Sequence, residues 1–158
     1  MRIGLGYDIH RFASGRRLFL GGVEIPHPRG LIGHSDADII LHALCDALLG
    51  AMGEADIGVH FPSSDPAFKD APGLKLLEQV KGLLQGAGFR VVNADVMVIL
   101  EEPKIAPYIP EMKKRISACL GIPVSDIAIK ATTQEGLGSI GAKEGAAAHA
   151  VALIEKKD

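Results

Sequence analysis

The sequence predicts an α+β (α/β two-layer) fold: a mixed four-stranded sheet with helices packed on one face. Three observations predict it. Valine- and isoleucine-rich stretches of strand length recur along the chain, longer apolar patterns of helical period lie between them, and glycine or proline marks nearly every junction. With 158 residues, the chain is expected to form a single domain over 1–158, and a domain of that size buries roughly 68–70% of its unfolded surface.

Each element has its own signal. Arg2 to His10 alternates loosely and reads as the first strand. Arg17 to Ile25 is a second extended stretch, broken at Gly21-Gly22, and Pro26, Pro28 and Gly30 then make a loop. A helix is expected from Asp36 to about Met52, capped by Ser35 or Asp36 and closed near Gly53. Gly53 to Gly73 reads as a long irregular segment, and such loops usually carry function. Leu74 to Leu84 reads as a helix stopped by Gly86-Ala87-Gly88, and Phe89 to Leu100 as the central strand. Prolines 103, 107 and 110 punctuate a connection to a helix over Glu111 to Leu120, closed by Gly121. Ile127 to Ala131 is a short strand, and Gly136 to Gly145 a glycine-rich loop. Ala146 to Lys157 fits either state. Its alanine content favours a helix, and its alternation permits a strand.

Composition excludes several classes. A hydrophobic content of 47% with 23% charged residues excludes disorder and fibrous repeats. Seventeen basic against nineteen acidic residues gives a formal charge of −2, so no basic excess exists to hold nucleic acid, and no nucleic-acid partner is expected. Aromatics at 4% and no tryptophan leave no base-stacking platform. The small clusters Arg16-Arg17 and Lys113-Lys114-Arg115 read as solvated faces. Cys45 and Cys119, each inside an apolar helical pattern, are expected to be reduced core residues. No stretch is apolar enough for a membrane helix, and charge comes too early for a secretory leader. A cytoplasmic protein with no membrane contact is expected.

The chemistry concentrates in a few motifs. Asp38, His42 and Asp46 stand at i, i+4 and i+8, one longitudinal row on an otherwise apolar helix. That row is either a narrow solvent-facing stripe or a metal-ligand row, with His42 as ligand and Asp38 or Asp46 accepting its other ring proton. Asp8-Ile9-His10 adds a carboxylate and an imidazole two residues apart, on one side of a strand. One aspartate and two histidines leave a fourth tetrahedral position open, as at a catalytic zinc. Gly4-x-Gly6 lacks the third glycine of a dinucleotide fingerprint. Lys130-Ala131-Thr132-Thr133-Gln134-Glu135-Gly136 leaves a strand for a glycine-rich loop. It is either a polar turn or a phosphate binder, with Glu135 as a hard ligand for Mg²⁺. Glu101 to Pro107 is either a rigid connector or a place for a nucleobase or phosphate.

The motifs Gly6-Tyr7-Asp8-Ile9-His10, His34-Ser35-Asp36-Ala37-Asp38, His42 through Gly50, Asp56-Ile57-Gly58 through Phe61-Pro62, and Lys130 through Glu135 stand in this order along the chain. Together they resemble the 2-C-methyl-D-erythritol 2,4-cyclodiphosphate synthase family of non-mevalonate isoprenoid biosynthesis. The resemblance implies conversion of 4-diphosphocytidyl-2-C-methylerythritol 2-phosphate into the cyclic diphosphate, with CMP released. It implies Zn²⁺ on Asp8, His10 and His42, and Mg²⁺ or Mn²⁺ on Glu135 and the substrate diphosphate. His34 and Thr133 would stabilise the pentavalent state, and Asp8, Ile9 and His10 would also meet substrate. Ser35 would contact the 2-phosphate, and Asp56, Ile57 and Gly58 the sugar, with the loop Phe61, Pro62, Ser63, Ser64, Asp65 closing over it. Leu100, Glu101, Glu102, Pro103, Lys104, Ile105 and Ala106, with Ala131 and Thr132, would form the cytidine pocket, and Thr133, Gln134 and Glu135 would also meet substrate. The resemblance further implies a homotrimer with active sites between subunits, and makes the C-terminal segment a strand. Ser63 stands where an aspartate is common, which removes a carboxylate from the sugar loop. Ser139 and Ala142 replace an aromatic and an arginine at the trimer's central cavity, so weak or absent isoprenoid diphosphate binding is expected there.

Overall fold

The computed structural model describes residues 1–157. A long first strand, β1 (Arg2–Ser14), is followed by a small hairpin of β2 (Leu18–Leu20) and β3 (Val23–Ile25), then a short β4 (Arg29–Leu31). Helix α1 (Ile39–Met52) comes next, then the single turn α2 (Ile57–His60) and α3 (Gly73–Gly86). The chain continues through β5 (Phe89–Ile99), α4 (Ile109–Leu120), β6 (Ile127–Thr132), a helical turn α5 (Gly138–Gly141) and β7 (Gly145–Lys156).

The main sheet has five strands rather than four, in the order β4-β1-β7-β5-β6, and β2 with β3 forms a separate pair. β5 and β6 run parallel and the other neighbours antiparallel, so the sheet is mixed as expected. The fifth strand is β4, hidden in sequence behind Pro26, Pro28 and Gly30. It is three residues long and sits at the edge, where prolines nearby cost no ladder bond. The C-terminal segment is a strand as far as Lys156. It lies between β1 and β5 and pairs with β1 from Arg2↔Ile154 to Arg11↔Gly145, so its alanine content does not make a helix.

That alanine content has a different cause. α1 lies across β1 and β7, and Ala146, Ala148, Ala150 and Ala152 are buried beneath it. The same closeness accounts for Gly4 and Gly6. A Cβ on Gly4 would come within 1.9 Å of the Ala47 carbonyl oxygen, and one on Gly6 within 1.8 Å of that of Ala43. The two glycines let strand and helix backbones touch. α3 and α4 continue the helical layer over β5 and β6. The opposite face carries Ile3, Leu5, Tyr7, Ile9 and Val151 in exposed positions.

Three boundaries differ from expectation. β1 runs on to Ser14, paired beyond His10 with β4. α1 is capped by Asp38 rather than Ser35 or Asp36, because Ala37 takes a positive φ of 55° and holds the chain outside the helix until Asp38. Gly53 to Gly73 is not wholly irregular: it contains α2 and a 3₁₀ turn at Pro66–Phe68, each capped by an aspartate, Asp56 and Asp65. Both cysteines are free, but Cys119 is half-buried, with only Cys45 in the core.

Candidate metal centre and substrate cleft

Strand alternation puts Gly4, Gly6, Asp8 and His10 on the helix side of β1. His42 on α1 projects from the facing wall and is buried. The three meet at one carboxylate oxygen. Asp8 Oδ2 lies 2.9 Å from His42 Nδ1 and 3.1 Å from His10 Nε2. One potential ligand atom from each lies within 4.8 Å of the others, so the trio can hold a metal ion. Burial by itself would raise the pKa of Asp8. The hydrogen bonds and positive charge of His10 and His42 outweigh it and bring the value to about 2. Burial depresses His42, but Asp8, Asp38 and Asp36 together raise it.

The other ring nitrogen of His42 meets neither Asp38 nor Asp46. Its Nε2 lies 3.0 Å from Ser35 Oγ and 3.9 Å from Asp36 Oδ1. Asp38 is instead fully buried and accepts hydrogen bonds from the backbone amides of Gly21 (2.9 Å), Gly22 (2.7 Å) and Leu41 (3.2 Å). It caps its own helix and ties down the β2–β3 turn. Its burial, reinforced by Asp36, pushes its pKa up against the pull of those amides. Asp46 accepts from the Ile57 amide at 2.8 Å and so anchors the start of α2. Of the i, i+4, i+8 row, which is no solvated stripe, His42 does join the possible metal ligands, but neither Asp38 nor Asp46 accepts its other ring proton. Each member holds a different segment.

A cleft of about 260 Å³ opens at the trio. Asp8, His10, His34, Ser35, His42, Ile57, Gly58, Phe61 and Ser63 line it, joined by Phe68 and Leu76, which carry no signal in the sequence beyond ordinary apolar spacing. Other expected site residues lie elsewhere. Ile9 points to the open sheet face. Asp56 accepts from the Gly58 amide at 2.8 Å and lines a smaller neighbouring cavity with Asp46. Pro62 precedes Ser63, and Ser64 and Asp65 continue the loop beyond it, with Asp65 accepting from the Ala67 amide.

The second expected cluster is assembled but lies apart from this cleft. Leu100 donates its amide to the Thr132 carbonyl at 3.0 Å, and Glu101 Oε1 accepts from the Gln134 amide at 2.7 Å. The connection after β5 and the Ala131–Glu135 segment are thus bound side by side. Thr133 Oγ1 donates to Glu135 Oε1 at 2.9 Å. Glu102 faces Lys143 at 2.9 Å and Arg29 at 3.2 Å, so its carboxyl sits below the usual range, chiefly through Lys143. The Glu102–Pro103 peptide is cis, Lys104 is exposed and Ala106 opens a 3₁₀ turn. Leu100 and Ile105 are buried. Ser139 and Ala142 are exposed on and just after α5.

No helix among the described residues is long and apolar enough to cross a membrane.

A model of the YgbB family matches residues 1–155. Relatives named 2-C-methyl-D-erythritol 2,4-cyclodiphosphate synthase match along their whole length. The one from Chlorobaculum parvum is 55% identical over 99% of this chain and 100% of its own, and that from Symbiobacterium thermophilum 59% identical over 98% of each. Among solved structures, the bifunctional IspDF of Campylobacter jejuni superposes with a TM-score of 0.95 at 39% identity, over 99% of this chain and 42% of its own length. The CDP complex of Plasmodium falciparum IspF superposes at 0.87 and 36% identity, over 99% of this chain and 97% of its own. The chain belongs to the YgbB family, the family of the 2-C-methyl-D-erythritol 2,4-cyclodiphosphate synthases.

Proposed function

We propose that the cleft closes a ring. It converts 4-diphosphocytidyl-2-C-methyl-D-erythritol 2-phosphate into 2-C-methyl-D-erythritol 2,4-cyclodiphosphate, for isoprenoid precursor synthesis in the cytoplasm. The substrate's own 2-phosphate oxygen attacks the β-phosphorus, the bond from that phosphorus to the bridging oxygen breaks, and CMP leaves. The observation that carries this reading is the Asp8 carboxylate between two imidazole nitrogens at 2.9 and 3.1 Å, on the wall of a cleft shared with His34 and Ser35.

Asp8, His10 and His42 form an N,N,O donor set that suits zinc, which when bound supplies Lewis acidity toward a phosphate oxygen. The chain's own residues supply position and charge. Ser35 and His34 bind the 2-phosphate end and the transferring group, while Phe61 and Phe68, with rings 5.3 Å apart, exclude water beside them. Gly58 and Asp56 hold the methylerythritol portion, with α2 fixed through Asp46. Thr133 supports the pentavalent state, and Glu135, held by the Thr133 hydroxyl, is the donor for magnesium or manganese on the diphosphate. Residues 100–106 with Ala131 and Thr132 take the cytidine, a role supported by the CDP complexes of relatives.

We assign the complete site to a homotrimer, the metal half from one subunit and the nucleotide half from the next. The apolar open face supports it, with Ile3 at 69% and Leu5 at 68% exposure on one strand. Ser139 and Ala142 leave a central cavity without an aromatic or an arginine at those positions, so prenyl diphosphate binds weakly or not at all.

The test is the phosphorus spectrum of the product. Cyclic diphosphate and CMP in equal amounts, lost in His42→Ala and on chelation, support the assignment. A linear product carrying solvent oxygen would make the protein a hydrolase, and substrate returned intact would make it a binding protein.

A further inference from the structure

We propose that Arg16 is a positioning residue for the ring-closing reaction, a clamp that fixes the His34–Ser35 segment from behind the cleft. The proposal rests on the function assigned above to that segment.

Arg16 stands in the turn between β1 and β2 and is half-buried. Its Nε donates to the Leu31 carbonyl at 2.9 Å, and its Nη2 to the Ser35 carbonyl at 3.2 Å and toward that of Gly33 at 3.5 Å. One guanidinium therefore gathers three carbonyls, each two residues from the next. These residues run from Leu31, the last residue of β4, toward the cap of α1, and after Leu31 the chain has no regular structure. The segment carries His34, and Ser35, whose Oγ lies 3.0 Å from His42 Nε2.

Arg16 does not reach the reaction. It lines a separate cavity of about 500 Å³ with Arg17, Asp36 and Arg115, and the cleft's lining does not include it. Ser35 lines both, so it is the wall between them, touched by Arg16 on its carbonyl and by His42 on its hydroxyl. On the other side the segment is tied to the chain before α3: Asp36 accepts from the Gly73 amide at 2.7 Å, and Asp70 donates its amide to the His34 carbonyl at 2.9 Å. Asp36 also donates its amide to the Ala71 carbonyl at 3.2 Å, and Ile32 its amide to that of Arg11 at 2.9 Å, but the Leu31, Gly33 and Ser35 carbonyls are gathered by Arg16.

A planar guanidinium reaches several acceptors at fixed angles. A lysine ammonium is a single point charge and cannot span the same three. Arg16→Lys keeps the charge and loses the fork, so it should behave like Arg16→Met. Misplacing a binding group by about 1 Å costs up to about 10²-fold in rate.

The test compares wild type, Arg16→Lys and Arg16→Met. We expect full metal content in all three, kcat/KM for CMP release lower by about 10- to 100-fold in both variants, and amide exchange at Asp36 and Ala37 faster by about tenfold. In a Ser35→Ala background the penalty of Arg16→Lys should shrink to about twofold or less, because the clamp acts through Ser35. Activity within about twofold of wild type in Arg16→Lys overturns the proposal. So does a penalty undiminished in the Ser35→Ala background, or unchanged exchange at Asp36 and Ala37. Should Arg16→Met not fold, Arg16→Lys carries every readout. A wild-type protein that makes no cyclic product would sink the assigned reaction, and the exchange measurement would still decide whether the clamp exists.

Discussion

Asp8 and Ala131 stand in one row across the sheet, joined through Ala148 of β7 and Val98 of β5. Three strand spacings separate them, about 14 Å. Ala148 and Val98 are wholly buried, so the helical layer closes the route between them. The metal trio and the nucleotide segment of one chain therefore face different surroundings. Chains bearing His42→Ala and chains bearing Glu135→Ala, each inactive alone, should regain activity when unfolded and refolded together. With random assembly about a quarter of interfaces would be intact. No recovery in the steady-state rate would put both halves in one subunit.

The open sheet face gives a second expectation. Leu5→Lys places a charge on an apolar surface that we assign to subunit contact. Sedimentation should show single chains with a native circular dichroism spectrum and little turnover. A mutant trimer as stable as wild type would argue that another surface holds the assembly.

Asp38 and Asp8 separate fold from chemistry. Asp38→Asn replaces one acceptor oxygen by an NH₂ group among three backbone donors, and should lower stability by about 1–3 kcal/mol, read as a shift in the urea midpoint. Its metal content should stay near wild type. Asp8→Asn should lose metal and activity while folding normally. Equal metal loss in both would return Asp38 to the ligand set.

Gly6→Ala tests the contact between strand and helix. A methyl group would fall 1.8 Å from a helix carbonyl oxygen, so the backbones must part. A cost of about 3 kcal/mol or more is expected, seen as a lower melting temperature or insoluble expression. Gly82→Ala is the control, since nothing lies within 4 Å of a Cβ there.

Cys45 sets an alkaline limit. Burial raises its thiol pKa well above the ordinary 9.0, aided by Asp46. The folded protein keeps the proton that the unfolded chain gives up. Below pH 9 the thiol therefore costs the fold nothing, and as pH rises above 9 stability falls. Maleimide at pH 8 should leave Cys45 unlabelled until denaturant is added. Rapid labelling of Cys45 in the folded protein would contradict its burial.

Much of this was legible in the residues, for identifiable reasons. α1 announces itself by a run that is apolar except for His42 and Asp46 and ends at Gly53, which takes the left-handed C-terminal cap. Asp8-x-His10 and His42 could be paired because strand and helix periods each place them on one face. β7 was obscured: alanine favours helices by intrinsic preference, and only the neighbouring backbones reveal that small side chains were needed beneath α1. β4 was hidden because Gly30 looked like a loop residue. A Cβ there would lie 2.2 Å from the Arg17 carbonyl oxygen. Arg16 gave no sign, since its partners are backbone carbonyls and carry no residue identity.

The row on α1 has a consequence for how this sequence can vary. Asp38 grips the hairpin turn, His42 meets Asp8, and Asp46 holds the start of α2, each one helical turn from the next. The helix works as a spindle that keeps a turn, a strand and the start of a second helix in phase. Inserting or deleting one residue between Asp38 and Asp46 would rotate part of the row by about 100° and release at least one of these partners, whereas side-chain changes elsewhere on the same helix leave the phasing intact. Length along that stretch is therefore far less free to drift than composition.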